Sequence, residues 1–400
     1  MPVSNTTTRY GSITRSFHWL TALLVMTLIP VALIAEDLPY DTSAQLAQKA
    51  WLFSLHKTLG VTVFFVALLR ILWALSQPKP ASLHPERRIE NFLAETAHWL
   101  LYGSLVLAPL SGWIHHAATS GFAPIWWPLG QSLPMVPKSE GVAAFFGGLH
   151  WVFGKVMIVS LLLHIAGALK HHFIDKDATL RRIITGAPEL ANLPATRHAR
   201  TPLVAALAIW AAVLAGGNLI GVYTADEGAQ AATLADVASD WTVQEGSIAI
   251  AVTQFGSTVE GSFADWTADI SFDPTISVGP SGTVEVVIAI GSLTLGSVTG
   301  QAMGPDFFDA TQFETATFAA DITTMIDGYV AEGTLTVKGV TLPVRLPFRL
   351  SVNGDAAEMS AQLQLNRLDF GVGTNMPDES SLAFAVDVAV ALTATRANSQ

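Results

Sequence analysis

Five long apolar segments in the first 225 residues constrain the fold of this chain more than any other feature. Each approaches the roughly 20 residues that a helix needs to cross the hydrocarbon core of a bilayer. We predict that the first four segments form an up-down transmembrane four-helix bundle and that the fifth adds one more membrane helix. The segments cover residues 17–35, 52–75, 92–115, 145–169 and 202–222.

Charge divides the 400-residue chain into two halves. Residues 1–225 carry 16 Lys and Arg against 10 Asp and Glu, the remaining 175 residues carry 5 against 22, and all eleven histidines precede residue 199. A basic, apolar half followed by an acidic half is typical of a membrane domain joined to a soluble domain. The acidic balance argues against nucleic acid as a partner, and the absence of cysteine excludes disulfides, thiolate metal sites, iron–sulfur clusters and covalently attached haem.

Basic residues between the spans predict the orientation in the lipid bilayer, because cytoplasmic loops hold the excess of Lys and Arg. They concentrate before the first span, at 79–88 and at 176–200, whereas the opposite loops contain an interfacial cluster, Trp126-Trp127-Pro128. We therefore expect a multi-pass membrane protein with a cytoplasmic N-terminus and a C-terminal domain on the opposite, periplasmic side. The fifth span has features of a signal sequence, but its long apolar core favours retention as an anchor.

From about residue 235 the hydrophobic period changes to two. Val386, Val388 and Val390 alternate with polar or small residues, and similar runs are separated by Gly, Pro, Asn and Asp. This pattern predicts an all-β antiparallel barrel or sandwich of about eight strands, which either fills itself with side chains or holds one elongated ligand. Residues 303–309 break the pattern and predict a short helical turn.

Four histidines fall at matching depths of the predicted bundle. His150 and His164 lie fourteen residues apart, which places them roughly 21 Å apart along one helix and nearly on one face. The predicted topology puts His18 beside His164 toward the cytoplasm and His56 beside His150 toward the periplasm. Ionisable residues inside membrane helices are mostly functional. Two imidazoles on one haem iron give a low-spin b-type centre without an open position, so we predict two b-type haems.

Other residues compete for these roles or support them. His98 lies near the cytoplasmic end of the third span and His115 and His116 near its periplasmic end, so each could replace a proposed ligand. Histidines can also hydrogen-bond between membrane helices with a purely structural role. Haem propionates need cations, and the candidates at suitable depths are Arg15, Lys57, Arg70 and Lys155.

Several motifs of the first half occur in a known family. They are Phe17-His18-Trp19-Leu20, Leu55-His56-Lys57, the stretch from Leu149-His150 to His164, and Leu180-Arg181-Arg182. With these motifs, residues 9 to about 190 resemble the bacterial cytochrome b561 family. The resemblance implies a four-helix bundle with two b haems on His18, His56, His150 and His164, which exchanges electrons with membrane quinone. Residues 191–200 are then a cytoplasmic linker and 201–223 the fifth helix.

Motifs of the second half are similar to another family. They are Gly261-Ser262-Phe263, Asp306-Phe307-Phe308-Asp309, and the stretches 333–341 and 366–373. Residues 237–396 thereby resemble the YceI-like family of periplasmic lipocalin-like barrels, which implies a cavity for a polyisoprenoid chain such as a quinone tail. Residues 299–305 lack the Arg and His usual there. The candidate ligand-contacting aromatics, each equally explained as core, are Phe263, Phe307, Phe308, Phe313 and Phe318.

Together these features predict a dihaem electron carrier or quinone oxidoreductase that uses membrane quinone, and superoxide or another small periplasmic redox partner, with a tethered barrel for an isoprenoid lipid. Two alternatives stay open. The barrel could be the working part, a lipid carrier or sensor anchored by the bundle. The bundle could instead be a b-subunit that passes electrons to a separate periplasmic dehydrogenase.

Overall fold

A computed structural model describes residues 2–126, 130–186, 200–224, 231–235 and 237–397. The chain divides into two compact units. The first contains Met1–Leu38, Trp51–Ala118 and Pro124–Ala225, and the second contains Pro39–Ala50, Thr119–Ala123 and Asp226–Gln400. Most of the predicted linker (191–199) and two residues of the predicted interfacial cluster, Trp127 and Pro128, lie outside the described residues.

The first unit is built from helices. Among the described residues, four helices are long and apolar enough to cross a membrane, namely α1, α2, α4 and α6. Helix α3 contains the third predicted span and is 31 residues long, but its histidines and serines make it less apolar. The bounds are α1 Ser12–Asp37, α2 Ser43–Leu75, α3 Arg88–Ala118, α4 Glu140–Phe173, α5 Thr179–Ile184 and α6 Thr201–Leu219.

The centre of the bundle is a small apolar cluster shared by three helices. Val25 and Leu28 of α1, Val63 and Ala67 of α2, and Leu105 of α3 are all buried together. The small residues let the helices approach closely, since helix association inside a membrane depends on packing rather than on the hydrophobic effect.

Helix α6, the fifth predicted span, is packed as a member of the bundle. Its Ala206 is buried with Leu100 of α3 and Val156 of α4. The Trp210 ring lies edge-on to Phe153 of α4, with ring centres 5.2 Å apart. Through these contacts α6 packs on α3 and α4 within the first unit.

The second unit is one curled sheet of ten strands in the order β3-β4-β6-β7-β8-β9-β10-β1-β2-β5, with every pairing antiparallel. The curl brings the start of β1 to β3, where Trp241 Nε1 donates a hydrogen bond to the carbonyl oxygen of Phe272 at 3.0 Å. The antiparallel all-β fold predicted from the alternation is confirmed, and so is the lipocalin-like form that the family resemblance implies. The strands are β1 Trp241–Gln254, β2 Ser257–Phe263, β3 Trp266–Phe272, β4 Gly279–Ala289, β5 Leu293–Thr294, β6 Thr315–Met325, β7 Gly328–Val337, β8 Val340–Asn353, β9 Ala356–Asn366 and β10 Leu382–Arg396.

The helical element predicted at 303–309 lies earlier in the chain. Helix α7 spans Thr299–Met303 and ends where the prediction begins. Gly304 is extended, with φ −69° and ψ 167°, as expected for a residue before proline. Residues after Pro305 continue as hydrogen-bonded turns, in which Phe307 N donates to the carbonyl oxygen of Gly304 at 3.0 Å.

Residues 39–50 pack at one end of the sheet, within the second unit. Leu46 is 1% exposed and lies in a cluster with Phe307, Phe370 and Met376. Asn375 Nδ2 also donates to the carbonyl oxygen of Asp41 at 2.9 Å. The end of the sheet that carries the Phe-Phe motif is therefore filled by the chain itself.

Candidate metal centres

The first candidate centre lies between α2 and α4, where His56 and His150 face each other. Their ring centres are 6.2 Å apart and the ring planes are inclined by 84°. His56 Nδ1 donates a hydrogen bond to the carbonyl oxygen of Leu28 at 3.2 Å, and His150 Nδ1 donates to that of Ala108 at 2.8 Å. Each bond fixes the tautomer in which Nε2 carries the lone pair, the form that binds a metal.

Helix prolines stand beside both accepting carbonyls. Pro30 follows Leu28 by two residues in α1, and Pro109 follows Ala108 directly in α3. A proline inside a helix removes a backbone hydrogen bond and bends the helix, which loosens the ladder around it. The carbonyls that lose their helical donor are those of Met26 and Leu105, four residues before each proline, so near Leu28 and Ala108 the prolines can contribute only a local bend of the helix.

The second candidate centre lies between α1 and α4, where His18 and His164 face each other. Their ring centres are 6.1 Å apart and the planes are inclined by 57°. Neither imidazole has a hydrogen-bond partner in the part of the chain that the structure describes. The Trp19 ring borders His18 at 5.2 Å, and the His98 ring lies edge-on to His164 at 4.9 Å.

The separation within each pair fits a shared metal ion. A metal–imidazole bond is about 2.0 Å and the ligating nitrogen lies about 1 Å from the ring centre, so imidazoles on opposite sides of one ion have ring centres about 6 Å apart. Both pairs meet this condition, at 6.2 and 6.1 Å. The 4.9 Å between His98 and His164 is too short for an ion to lie between them. Two neutral imidazoles form a donor set suited to haem iron.

Glycines shape the space around the His56/His150 pair. Gly60 and Gly154 each follow a histidine of the pair by one helical turn, and a Cβ on either would meet no atom within 4 Å. Because residues four apart share a helix face, open space adjoins both imidazoles, as a flat macrocycle requires. Gly112 instead leaves room for the His150 ring itself, since a Cβ there would lie 2.7 Å from His150 Nδ1.

The three histidines that could replace a proposed ligand, His98, His115 and His116, make other contacts. His115 Nδ1 donates to the carbonyl oxygen of Ala143 at 2.6 Å, and its ring lies 4.6 Å from that of His116. His98 Nδ1 donates to the carbonyl oxygen of Ala94, in its own helix, at 2.6 Å. The structure therefore brings His56 to His150 and leaves His115 beside His116.

Two of the predicted propionate-binding cations lie on the helices of the His18/His164 pair or next to them. Arg15 is in α1, three residues before His18, and its Nη1 donates to the carbonyl oxygen of Ile184 at 3.2 Å. The Arg70 guanidinium of α2 lies 5.6 Å from the centre of the Tyr102 ring.

The other two predicted cations differ from each other in burial. Lys57 follows His56 in α2 and is 7% exposed. Lys155 is exposed, and its ammonium lies 5.2 Å from the centre of the Trp151 ring. Of the two, Lys57 is the better placed to act inside the bundle.

Arg182 was missed as a functional candidate. It lies on the short helix α5 and is 5% exposed, and burial lowers the pKa of its guanidinium. Its guanidinium carbon lies 5.7 Å from the centre of the Tyr10 ring. The sequence signal was the Leu180-Arg181-Arg182 motif, but only the fold distinguishes the buried arginine from its exposed neighbour Arg181.

A cluster of charged residues joins the start of α3 to the end of α4. Ligand atoms of Glu90, His171 and Asp175 lie within 4.8 Å of one another, as in a metal site. However, Lys170 Nζ lies 2.7 Å from Glu90 Oε1 and 2.9 Å from Asp175 Oδ2, and Arg87 Nη1 lies 2.9 Å from Asp175 Oδ2. The hydrogen bond from Lys170 lowers the pKa of both carboxyl groups. This arrangement is an ion-pair network that already neutralises its own charge.

The curled sheet encloses a cavity of about 170 Å³, and every residue that lines it is apolar. Of the predicted ligand-contacting aromatics, Phe318 lines this cavity. Phe263 and Phe308 pack on each other in a core cluster, with ring centres 6.4 Å apart. Phe307 belongs to the cluster around Leu46, and Phe313 packs on the Gly339 turn.

Apolar helices with paired imidazoles, followed by a lipocalin-like sheet, define a membrane cytochrome that carries an extra β domain. Residues 9–186 match the family described as prokaryotic cytochrome b561, and residues 241–394 match the YceI-like domain. Cytochrome b561 homolog 2 of Escherichia coli (strain K12) is 32% identical over 192 residues, which is 46% of this chain and 95% of that protein. The chain therefore belongs to the cytochrome b561 family, which implies b-type haem and a place in the membrane.

Two further similarities cover one half of the chain each. Probable superoxide oxidase CybB of Yersinia pestis is 24% identical over 177 residues, 44% of this chain and 96% of that protein. The crystal structure of BcnA from Burkholderia cenocepacia is 30% identical, covers 38% of this chain and 96% of that chain, and gives a TM-score of 0.36.

Proposed function

We propose that this protein is a dihaem b-type cytochrome of the bacterial inner membrane that exchanges electrons with membrane quinone. His18 and His164 ligate one haem, and His56 and His150 ligate the other. The observation that carries the proposal is the separation of the ring centres, 6.1 Å in one pair and 6.2 Å in the other. Helix α4 contributes one ligand to each pair, fourteen residues apart.

A haem iron held by two imidazoles would have no open coordination position and would supply reversible one-electron chemistry, which suits electron transfer. The protein's own part is to hold and orient the ligands. The carbonyl oxygens of Leu28 and Ala108 keep the His56 and His150 rings in one tautomer and one orientation. The cations Arg15, Arg70 and Lys57 balance propionate charge, and the exposed Lys155 is the least suited of the four.

The proposed orientation follows the positive-inside rule. The N-terminus and the ends of α2 and α4 face the cytoplasm, and the curled sheet lies in the periplasm. The His56/His150 pair then lies toward the periplasm and the His18/His164 pair toward the cytoplasm. Residues 9–190, 201–223 and 237–396 are the proposed domains.

Haem content tests the ligand scheme. His150→Ala and His164→Ala should each bind one haem instead of two, as measured by pyridine haemochrome analysis of purified protein. His115→Ala is the control and should keep both haems, because His115 contacts Ala143 and His116. Two haems with unchanged low-spin spectra in either ligand variant would contradict the scheme.

A second proposed activity belongs to the curled sheet, which binds a polyisoprenoid lipid such as a quinone tail. The supporting observation is the wholly apolar lining of its cavity, since affinity for such a chain comes from buried apolar area. Ala331 is 2% exposed and lines the cavity, so Ala331→Phe should abolish lipid recovery in extraction and mass spectrometry. Ala319→Phe, at an exposed position on β6, is the matched control. Equal lipid recovery from both variants would argue against the cavity as the binding site.

A further inference from the structure

Arg182 is a buried cation whose hydrogen-bonding capacity is largely unused. Its Nη1 donates to the carbonyl oxygen of Ala81 at 2.9 Å. Its Nε and Nη2 are buried without a hydrogen-bond partner among the residues that the structure describes. A buried charged group with unpaired N–H donors is strongly unfavourable. A ligand with acceptor oxygens at Nε and Nη2 would remove this cost.

The two unpaired nitrogens indicate what that acceptor is. Nε and Nη2 form one edge of the guanidinium and donate two parallel N–H bonds, the arrangement that matches a carboxylate. No described carboxylate lies within salt-bridge distance of Arg182. Asp177 is occupied, because one of its oxygens lies 2.7 Å from His171 Nδ1 and 3.1 Å from His84 Nε2.

Helix α5 is held against the part of α1 that carries His18. Trp19 Nε1 donates to the carbonyl oxygen of Ile183 at 3.1 Å, and Arg15 Nη1 donates to that of Ile184 at 3.2 Å. Trp19 and Arg15 flank His18 in α1, and Ile183 and Ile184 directly follow Arg182 in α5. Arg182 thus lies on a helix whose next two residues contact the turn of α1 that carries His18.

We infer that Arg182 binds a propionate carboxylate of the haem held by His18 and His164, through Nε and Nη2. The inference rests on the proposed function, because it requires that haem. A lipid phosphate is the other source of an anionic oxygen near a membrane surface. The 5% exposure of Arg182 favours a carboxylate that belongs to a group bound within the protein over a lipid headgroup, which would approach from the outside.

The test compares Arg182→Gln with Arg181→Gln, its exposed neighbour on the same six-residue helix. In a redox titration of the full-length holoprotein, Arg182→Gln should lower the midpoint potential of one haem only, because an uncompensated propionate stabilises ferric iron. The affected haem should be the one that His164→Ala removes. Arg181→Gln should leave both potentials unchanged.

Arg182→Lys covers the case in which the glutamine variant does not fold. Lysine keeps the charge but cannot form the two-pronged bond, so one of the two haems should transfer severalfold faster to apomyoglobin. Wild-type transfer rates for Arg182→Lys, or a potential shift shared by Arg181→Gln, would overturn the inference. An effect that depends on anionic lipid in the detergent would identify a lipid phosphate as the ligand instead. Absence of bis-histidine haem from the wild-type protein would refute the proposed function itself.

Discussion

The two histidine pairs have nearly the same ring separation but very different surroundings. Both rings of the His56/His150 pair donate from Nδ1 to main-chain carbonyl oxygens, at 3.2 and 2.8 Å. The His18/His164 rings have no hydrogen-bond partner in the described chain, and Arg15, Arg70 and Arg182 lie on the elements around them. The His56/His150 rings are therefore surrounded by acceptors and one buried cation, Lys57, whereas three arginines lie on the elements around the His18/His164 rings.

This difference sets an order of redox potentials. A hydrogen bond from Nδ1 to a carbonyl makes an imidazole ligand more electron-rich, which stabilises ferric iron and lowers the potential. Nearby positive charge favours the ferrous form and raises the potential. For the proposed pair of haems, we therefore expect the His56/His150 haem to have the lower potential, and electrons would then run from it to the His18/His164 haem. In the proposed orientation this direction is from the periplasm toward the cytoplasm.

The largest expected effect that separates the two sites comes from Gly112→Ala. The added Cβ would lie 2.7 Å from His150 Nδ1, so the ring must shift, which disturbs its hydrogen bond to the carbonyl oxygen of Ala108. We expect loss of most of the His56/His150 haem while the other haem stays, as measured by haem content and low-spin electron paramagnetic resonance. Gly216→Ala, where a Cβ meets no atom within 4 Å, should keep both haems. Retention of both in Gly112→Ala would mean that the ring position is not fixed by α3.

The order of potentials can be measured directly on the wild-type protein. A redox titration should resolve two one-electron components, and the component that disappears in His150→Ala should be the lower one. The expected separation is at least about 60 mV, a tenfold ratio for a one-electron couple. The reverse order would show that cations around the cofactor matter less than other differences between the sites.

A smaller effect is expected from single cations. Arg70→Gln should lower the potential of the His18/His164 haem, because it removes one positive charge from that side. Lys155→Gln should change the potential of the His18/His164 haem less, because its ammonium is exposed and lies over the Trp151 ring, nine residues from His164 or roughly 13 Å along the helix. Equal shifts in the two variants would indicate a general charge effect without preference for one site.

The smallest effect concerns the ion-pair network that joins α3 to α4. The hydrogen bond from Lys170 lowers the pKa of Asp175, so the stabilisation is present above the ordinary carboxyl pKa of about 4 and is lost as the pH falls through the lowered value. Asp175→Asn should therefore unfold at a slightly lower temperature at pH 7, and the difference from wild type should shrink below about pH 4. A difference that is constant with pH would assign the effect to packing.

The sequence could predict which histidines lie at the same depth, because the membrane spans and their orientation follow from local features, namely apolar segments and the charges of the loops. It placed His18 with His164 and His56 with His150, and the structure brings these rings together. The start of α2 at Ser43, nine residues before the predicted span, was not foreseen because its first turns are polar and lie in the second unit.

Tertiary contacts account for what the sequence could not predict. Whether Arg181 or Arg182 is buried depends on how α5 lies against α1, and no periodic pattern exists in six residues. Of the five aromatics proposed for ligand contact, only Phe318 lines the cavity, because alternation along a strand does not tell how far a cavity extends toward its end. Helix α7 ends at Met303 because Gly304, which precedes Pro305, is extended. The sequence prediction instead began the helical turn at Met303.

The wholly apolar lining of the cavity has a consequence for what the curled sheet can distinguish. If the sheet binds an isoprenoid as proposed, recognition would depend on the length and bulk of the hydrocarbon tail, at about 0.8 kcal/mol for each buried methylene, and not on a polar head. A quinone and its quinol have the same tail, so the cavity should bind them equally. In that case the domain serves as a reservoir that is indifferent to the oxidation state of its contents, and discrimination between the two forms is left to the membrane half.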